Sequence, residues 1–377
     1  MYDLIIIGSG PAGLTASIYA SRYKLSNLVI GKISGGTITM AHKVENFPGF
    51  SGTGIELGQK MVEQAKNLGA EMVGEEVARI EVFGALRSGV SSASLRTQAS
   101  LRPAASGYAP TIRRGLAKTS PHDIPPRAQI LEESLTSPRP FRIVTESNKE
   151  FEARAVIVAT GTERRKLGVP GEKEYLGKGV SYCTNCDAAF FKDKTVVLVG
   201  GSNASCSGAI HLAQFARKIY LIYRKDELRA EPVWVEEVKQ NPRIEIVYKT
   251  NITKIIGGKE GLGGIGGQER VTGVELDNPY GGEKILKTDG VFIEVGGVPI
   301  DSFLASLGVE LDENSYIKVN ERMETNLPGL FAAGDVTTHS LVMSQAIVAC
   351  ADGAIAAGGI YQYLKGQKAP KINGNGR

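Results

Sequence analysis

The chain opens on a continuous apolar run, Leu4-Ile5-Ile6-Ile7, the pattern of a strand covered on both faces. Gly8-Ser9-Gly10-Pro11-Ala12-Gly13 interrupts it, a helical stretch runs from Leu14 to Arg22, and Asn27 to Ile30 reads as the next strand. The same plan returns in mid-chain. Thr195 to Val199 predicts a strand, Gly200-Gly201-Ser202-Asn203-Ala204-Ser205 a turn, Cys206 to Ala216 a helix and Ile219 to Ile222 a strand. The interval from the last turn position to the end of the following strand is the same in both units. Two βαβ units of matched spacing predict an α/β protein with two dinucleotide-binding domains.

Hairpins are expected around these units. Phe141 to Thr145 and Phe151 to Ala155 flank a turn at Ser147-Asn148, and Val274 to Leu276 and Lys284 to Leu286 flank Asn278 to Gly282. An amphipathic helix is expected from Ser344 to Leu364, with a Lys/Asn/Gly-rich, disordered tail over 368–377. Residues 84–140 fit no element. They are rich in Ser, Ala, Arg and Pro, with eight basic residues against Asp123, Glu132 and Glu133, and read as a disordered surface insertion between two hairpin strands. A docking arm for an acidic partner is the alternative. Residues 261–267 read as a flexible hairpin loop.

The length of 377 residues fits two domains. A net charge of +4, much of it concentrated in the 84–140 segment, gives no reason to expect nucleic-acid binding. No apolar run looks long enough to span a bilayer, and Met1-Tyr2-Asp3 lacks the basic region and cleavage site of a signal peptide, so no membrane and a cytoplasmic location are expected.

In the first turn, Gly8 permits the tight bend, Gly10 lets the backbone approach a pyrophosphate, and Gly13 lets helix and strand pack closely, with Pro11 and Ala12 between. The acid that often closes the second strand and grips ribose hydroxyls is absent. Gly31 stands there. The second turn keeps Gly200 but carries Ser202 and Ser205 at the other two small positions. Beyond its next strand, Tyr223 is followed by Arg224 and Lys225, with Arg229 further on. These cations suit a 2′-phosphate, so NADPH is expected over NADH, against the alternative of a basic loop that no longer holds nucleotide.

Four cysteines are too few for a disulfide framework. Cys183-Thr184-Asn185-Cys186 is followed at once by Asp187. A zinc site needs two further ligands, no second pair exists, and the four histidines are scattered, so no metal is expected. Such a pair at a helix start interconverts between dithiol and disulfide, and Asp187 can give and take the proton. Cys206 and Cys350 read as core fillers.

The matching stretches Gly8 to Gly13, Gly35-Gly36-Thr37, Val44 to Gly49, Ala159-Thr160-Gly161, Cys183 to Asp187 and Phe331 to Asp335 occur in one order. Jointly they resemble low-molecular-weight thioredoxin reductase along nearly the whole chain. That resemblance implies two Rossmann-like domains of the three-layer ββα/βαβ type, the second inserted into the first. Residues 1–165 and 296–377 would form the FAD-binding domain, and residues 166–295 the NADPH-binding domain carrying the cysteines. It further implies FAD held by Gly8 to Gly13, Gly35 to Thr37, Asn46, Thr160, Gly161, Gly334 and Asp335, with Gln345 and Ala346 near the flavin ring. Ser344 stands where the family usually has Arg. By the same resemblance Cys186 would face the flavin, Cys183 would attack the partner's disulfide, Asp187 would be the acid/base, and the partner would be thioredoxin or a thioredoxin-like protein, acted on by a homodimer. Ferredoxin or a deazaflavin as donor, or dithiol oxidation by oxygen, are the alternatives within this group of relatives.

Overall fold

The computed structural model describes residues 1–82, 140–258, 269–299, 303–304 and 307–366. The expectations for 84–139 (all but the last residue of the 84–140 insertion), for the loop 261–267 and for the tail 368–377 lie outside the described residues.

In chain order the first lobe begins with β1 (Tyr2–Ile7), α1 (Pro11–Arg22), β2 (Asn27–Ile30), a 3-10 turn Gly36–Met40, the small hairpin β3 (Val44–Phe47) and β4 (Phe50–Gly52), and α2 (Gly54–Asn67). Then come β5 (Glu71–Val73), β6 (Val77–Val82), β7 (Phe141–Thr145) and β8 (Glu150–Val158). A short strand β9 (Thr162–Arg164) leaves this lobe. The second lobe holds β10 (Val180–Ser181), α3 (Thr184–Asp187), β11 (Thr195–Val199), α4 (Asn203–Leu212), β12 (Lys218–Ile222), α5 (Pro232–Gln240) and β13 (Ile244–Val247). It continues through β14 (Ile252–Gly258), β15 (Arg270–Tyr280), β16 (Glu283–Lys287) and β17 (Gly290–Ile293). The chain returns through β18 (Gly297–Pro299) to β19 (Leu330–Ala332) and α6 (Ala346–Lys365).

Two sheets carry the architecture. The first runs β5-β2-β1-β8-β7-β6, with β19 also paired to β8. The register Leu330↔Val156 to Ala332↔Val158 is parallel, so a strand near residue 330 completes a sheet begun at residue 2. The second, β10-β17-β11-β12-β13, is wholly parallel and lies entirely between the two parts of the first. Both read as strands covered on two faces, which is why Leu4, Ile5 and Ile6 and Val196, Val197 and Leu198 are all fully buried. The two crossings between the lobes, β9 and β18, pair with each other as a two-stranded antiparallel ribbon.

The expected helix at Cys206 to Ala216 starts earlier, at Asn203 with Ser202 as its N-cap, and stops earlier, at Leu212, beyond which Gln214 and Phe215 bond three residues back. The hairpin near residue 280 is also tighter than expected. Asn278 and Pro279 belong to β15, and only Gly281 and Gly282, both at positive φ, make the turn. The hairpin strands β6 and β7 that border the 84–140 segment pair with Val82 opposite Phe141.

α6 corrects the reading that no stretch could span a bilayer, since its 20 residues pass by length and hydropathy. Its packing supplies another role. Ala349, Ala356 and Ile360 join Ala12, Ala16 and Ala20 of α1 in one core cluster. Gly353 lets the two helices meet backbone to backbone, since a Cβ there would collide with the Ala12 carbonyl oxygen.

Candidate functional site

Gly8 stands at φ +117°, and a Cβ there would strike the Ala159 carbonyl. One at Gly13 would strike the Gly8 carbonyl. The turn is therefore tied to the end of β8, beside Thr160 and Gly161. α1 begins without a side-chain cap on Gly10. The Ala12 and Gly13 N–H groups find no acceptor among the described residues, which leaves a helix N-terminus open to an anion. The loop Gly35-Gly36-Thr37 comes up against this turn, with Gly36 packed on the Cα of Gly10.

Gly31 replaces the expected acid for a steric reason. A Cβ there would lie 2.6 Å from Ser9 Oγ and 2.7 Å from Ser9 N, and Ser9 Oγ is already committed to the Ile33 carbonyl at 2.7 Å. Asn46 and Gln345, 299 residues apart, are joined by an Asn46 Nδ2 to Gln345 Oε1 hydrogen bond of 2.9 Å, with Ala346 opening α6 beside them. Gly334 donates its N–H to Asp352 Oδ2 at 3.1 Å. Its neighbour Asp335 receives no hydrogen bond from the described residues, and burial together with the facing Asp352 carboxylate raises its pKa.

In the second lobe, the serines that depart from the glycine pattern are engaged. Ser205 Oγ donates to the Glu294 carbonyl at 3.0 Å and accepts from Ser202 N at 3.3 Å. Asn203 Oδ1 accepts from Glu231 N at 2.7 Å, and Arg229 N donates to the Gly201 carbonyl at 2.8 Å, so the basic loop is pinned to the turn that ends at Ala204 and Ser205. The Tyr223 ring lies against Gly201, leaving no room for a Cβ there. Arg224, Lys225 and Arg229 are exposed, and no carboxylate lies within ion-pair distance of them among the described residues.

Cys183 and Cys186 are disulfide-bonded with Cα atoms 5.3 Å apart. Cys183 caps α3, accepting from Cys186 N at 3.2 Å, so its sulfur sits at the start of this short helix. Cys186 is exposed and Asp187 half-buried beside it. Among the described residues no group of three His, Cys, Asp or Glu side chains stands together. Cys206 is fully buried, and burial pushes its thiol up to about 12.

The family model for pyridine nucleotide-disulphide oxidoreductases matches residues 2–353. The chain belongs to this family. It is 35% identical to a thioredoxin reductase of Bacillus subtilis over 367 residues, 97% of this chain and 95% of that protein. It is 34% identical to one from Listeria innocua over 97% and 94%. Among solved structures it superposes on Lactococcus lactis thioredoxin reductase in its FR conformation with a TM-score of 0.76 (29% identity, 97% of this chain, 100% of that one). On T. acidophilum thioredoxin reductase it gives 0.74 (33% identity, 97% and 98%).

This family member is an FAD-dependent oxidoreductase acting on a disulfide, with FAD and NADPH as cofactors. The residues present suit both groups. A half-buried carboxylate at Asp335 with no hydrogen-bond donor among the described residues suits hydroxyl donors such as the flavin's sugar-alcohol chain supplies, and the uncapped α1 suits a pyrophosphate. Unpaired Arg224, Lys225 and Arg229 call for a 2′-phosphate. The serines of the second turn brace it through bonds within the lobe.

Sequence reasoning missed several residues that the fold brings in. Asp352, fully buried on α6, holds the Gly334 N–H and lies with Oδ1 2.8 Å from His339 Nδ1, without hydrogen-bond geometry. Arg164 of β9 pairs with Glu294, whose side chain is 3% exposed. His42 stacks on His211 across the lobes. None of these carries a motif, because each is defined by a partner far away in sequence.

Proposed function

We propose that this protein is a thioredoxin-disulfide reductase in which NADPH, bound on the second lobe, supplies electrons to the Cys183–Cys186 disulfide and thence to the disulfide of thioredoxin. The overall change is one hydride and one proton in, one disulfide reduced to two thiols, and NADP⁺ out. The observation that carries the residue assignment is a disulfide capping α3 with Asp187 beside it, on a lobe that also bears a cation-lined dinucleotide turn.

FAD, when bound, relays the electron pair between the nicotinamide and the disulfide. Gly8, Gly10, Pro11, Ala12 and Gly13 would hold its pyrophosphate at the N-terminus of α1, with Gly35, Gly36 and Thr37 closing over it. Thr160, Gly161, Gly334 and Asp335 would hold the sugar-alcohol chain, and Asn46, Gln345 and Ala346 the ring side. Gly200, Gly201, Ser202, Asn203 and Ala204 would cradle the NADPH pyrophosphate, and Arg224, Lys225 and Arg229 its 2′-phosphate. Cys183, at the start of α3, attacks the partner disulfide. Cys186 then attacks Cys183 Sγ, breaking the mixed disulfide, and Asp187 protonates the departing thiolate. A homodimer in the cytoplasm is the working assembly.

The test is NADPH-dependent reduction of thioredoxin by the purified holoprotein and by Cys183→Ser and Cys186→Ser. Wild-type turnover with loss in both variants supports the reading. Undiminished turnover in either variant would remove the cysteine pair from the mechanism.

A further inference from the structure

The lobes are joined covalently only through β9 and β18, so their relative placement depends on side-chain contacts. Two such contacts meet at one spot. Asn185, between the cysteines, donates Nδ2 to the Met40 carbonyl at 2.6 Å. Two residues on, the His42 ring stacks on His211 of α4 with centroids 3.9 Å apart and planes 32° from parallel. His211 is 8% exposed, with Phe215 edge-on at 5.4 Å, and its Nδ1 is buried without a partner among the described residues.

His211 sits in the last turn of α4, while the phosphate turn opens its first, about 12 Å away along the axis at 1.5 Å per residue. The flavin-side loop 36–42 therefore meets the disulfide end of this helix. α3 is packed there as well, with Thr184 against Gly208. Resting on the reading that Cys186 faces the flavin, we propose that His42 and His211 are positioning residues, whose stacked rings hold the disulfide segment against the flavin-side loop and release it when His211 is protonated.

Two stacked imidazoles tolerate one another when uncharged. A proton on His211 places a cation in a desolvated contact with no carboxylate within ion-pair distance among the described residues. Among the groups around the pair, Lys43 is held at 2.9 Å by Glu45, with Glu237 of α5 also acting on it, Asp187 lies on α3 and the disulfide does not titrate. Burial, then His42, pulls His211 down to about 4 from an ordinary 6.5. The held pose thus binds fewer protons than the released one. The hold is complete above about pH 6.5 and is lost as pH falls toward 4. From pH 7.5 to 5.5 its equilibrium weakens by about tenfold for a group released to its ordinary value.

The experiment compares wild type with His211→Phe, which keeps an aromatic stack but cannot titrate. Turnover of thioredoxin with saturating NADPH is measured at pH 7.5 and 5.5, as the ratio of the two. Because the partner, Asp187 and the cysteines are common to both enzymes, their own pH dependence cancels. A wild-type loss at least threefold larger than the variant's supports the hold, and equal losses overturn it. If His211→Phe fails to fold, His211→Tyr, which also keeps a ring there and does not titrate in this range, is read the same way. Absence of any wild-type turnover at pH 7.5 would instead overturn the underlying assignment of function, and the hold with it.

Discussion

Asp335 sets ligand binding against stability. Its carboxylate is half-buried, accepts no hydrogen bond from the described residues, and faces Asp352, so burial and like charge both raise its pKa. An acid with a raised native pKa is destabilising when ionised, and stability falls as pH rises from its unfolded value through its native one. When ionised, Asp335 in the FAD-free protein is therefore a half-buried charge with no hydrogen-bond donor among the described residues. Asp335→Asn removes the charge at nearly constant volume and should stabilise the FAD-free protein by about 1–2 kcal/mol, the scale of an unsatisfied buried polar group. At about 2.1 cal/mol/K of unfolding entropy per residue, that is a rise of roughly 1–3 °C in melting temperature. The same change weakens a charge-assisted hydrogen bond worth about 1.5–3 kcal/mol, so FAD affinity should fall by about tenfold or more. The assay is thermal melting of the FAD-free protein together with FAD titration by flavin fluorescence. An Asp335→Asn variant that melts lower than wild type without FAD, or that binds FAD as tightly, would refute this account.

Replacing Gly353 with Val should cost about 1–3 kcal/mol and loosen FAD, because the side chain must part α6 from α1 at the Ala12 carbonyl, and melting with and without FAD reads both effects. Thr53→Ala removes the capping box in which Thr53 and Glu56 satisfy each other's N–H groups, and should lower stability by about 1 kcal/mol in denaturant titration. Arg224→Ala should raise the KM for NADPH by about tenfold or more and leave kcat nearly unchanged, since an exposed contact to the 2′-phosphate is made equally in ground and transition states. Cys206, with its thiol pushed up to about 12 by burial, should resist iodoacetamide at pH 8 while Cys183 and Cys186 alkylate after reduction, as peptide mapping would show.

The parts of the fold that were legible in the sequence are those whose physics is local. The apolar runs at Leu4 to Ile7 and Thr195 to Val199 became the central parallel strands, and the glycines at 8 and 13 occupy positions a Cβ could not share. The cysteine pair was legible because two-residue spacing already places both sulfurs within reach. What escaped was non-local. Gly31 read as a missing ribose ligand until Ser9 was seen filling its space. Ser205 stands at a position where glycine is common, because Glu294, 89 residues on, accepts its hydroxyl. α6 read as an amphipathic helix, and its buried face against α1 depends on Gly353 and a row of alanines whose partner lies at the other end of the chain.

The most direct test of the central claim is an anaerobic titration of the purified holoprotein with NADPH, following the oxidised flavin band and the free thiol count together. The expected result is that stoichiometric NADPH bleaches the flavin and two new thiols appear, mapped to Cys183 and Cys186. If NADPH leaves both unchanged while dithionite reduces the flavin, the second lobe does not deliver electrons from NADPH, and the account of this protein as an NADPH-dependent disulfide reductase is contradicted.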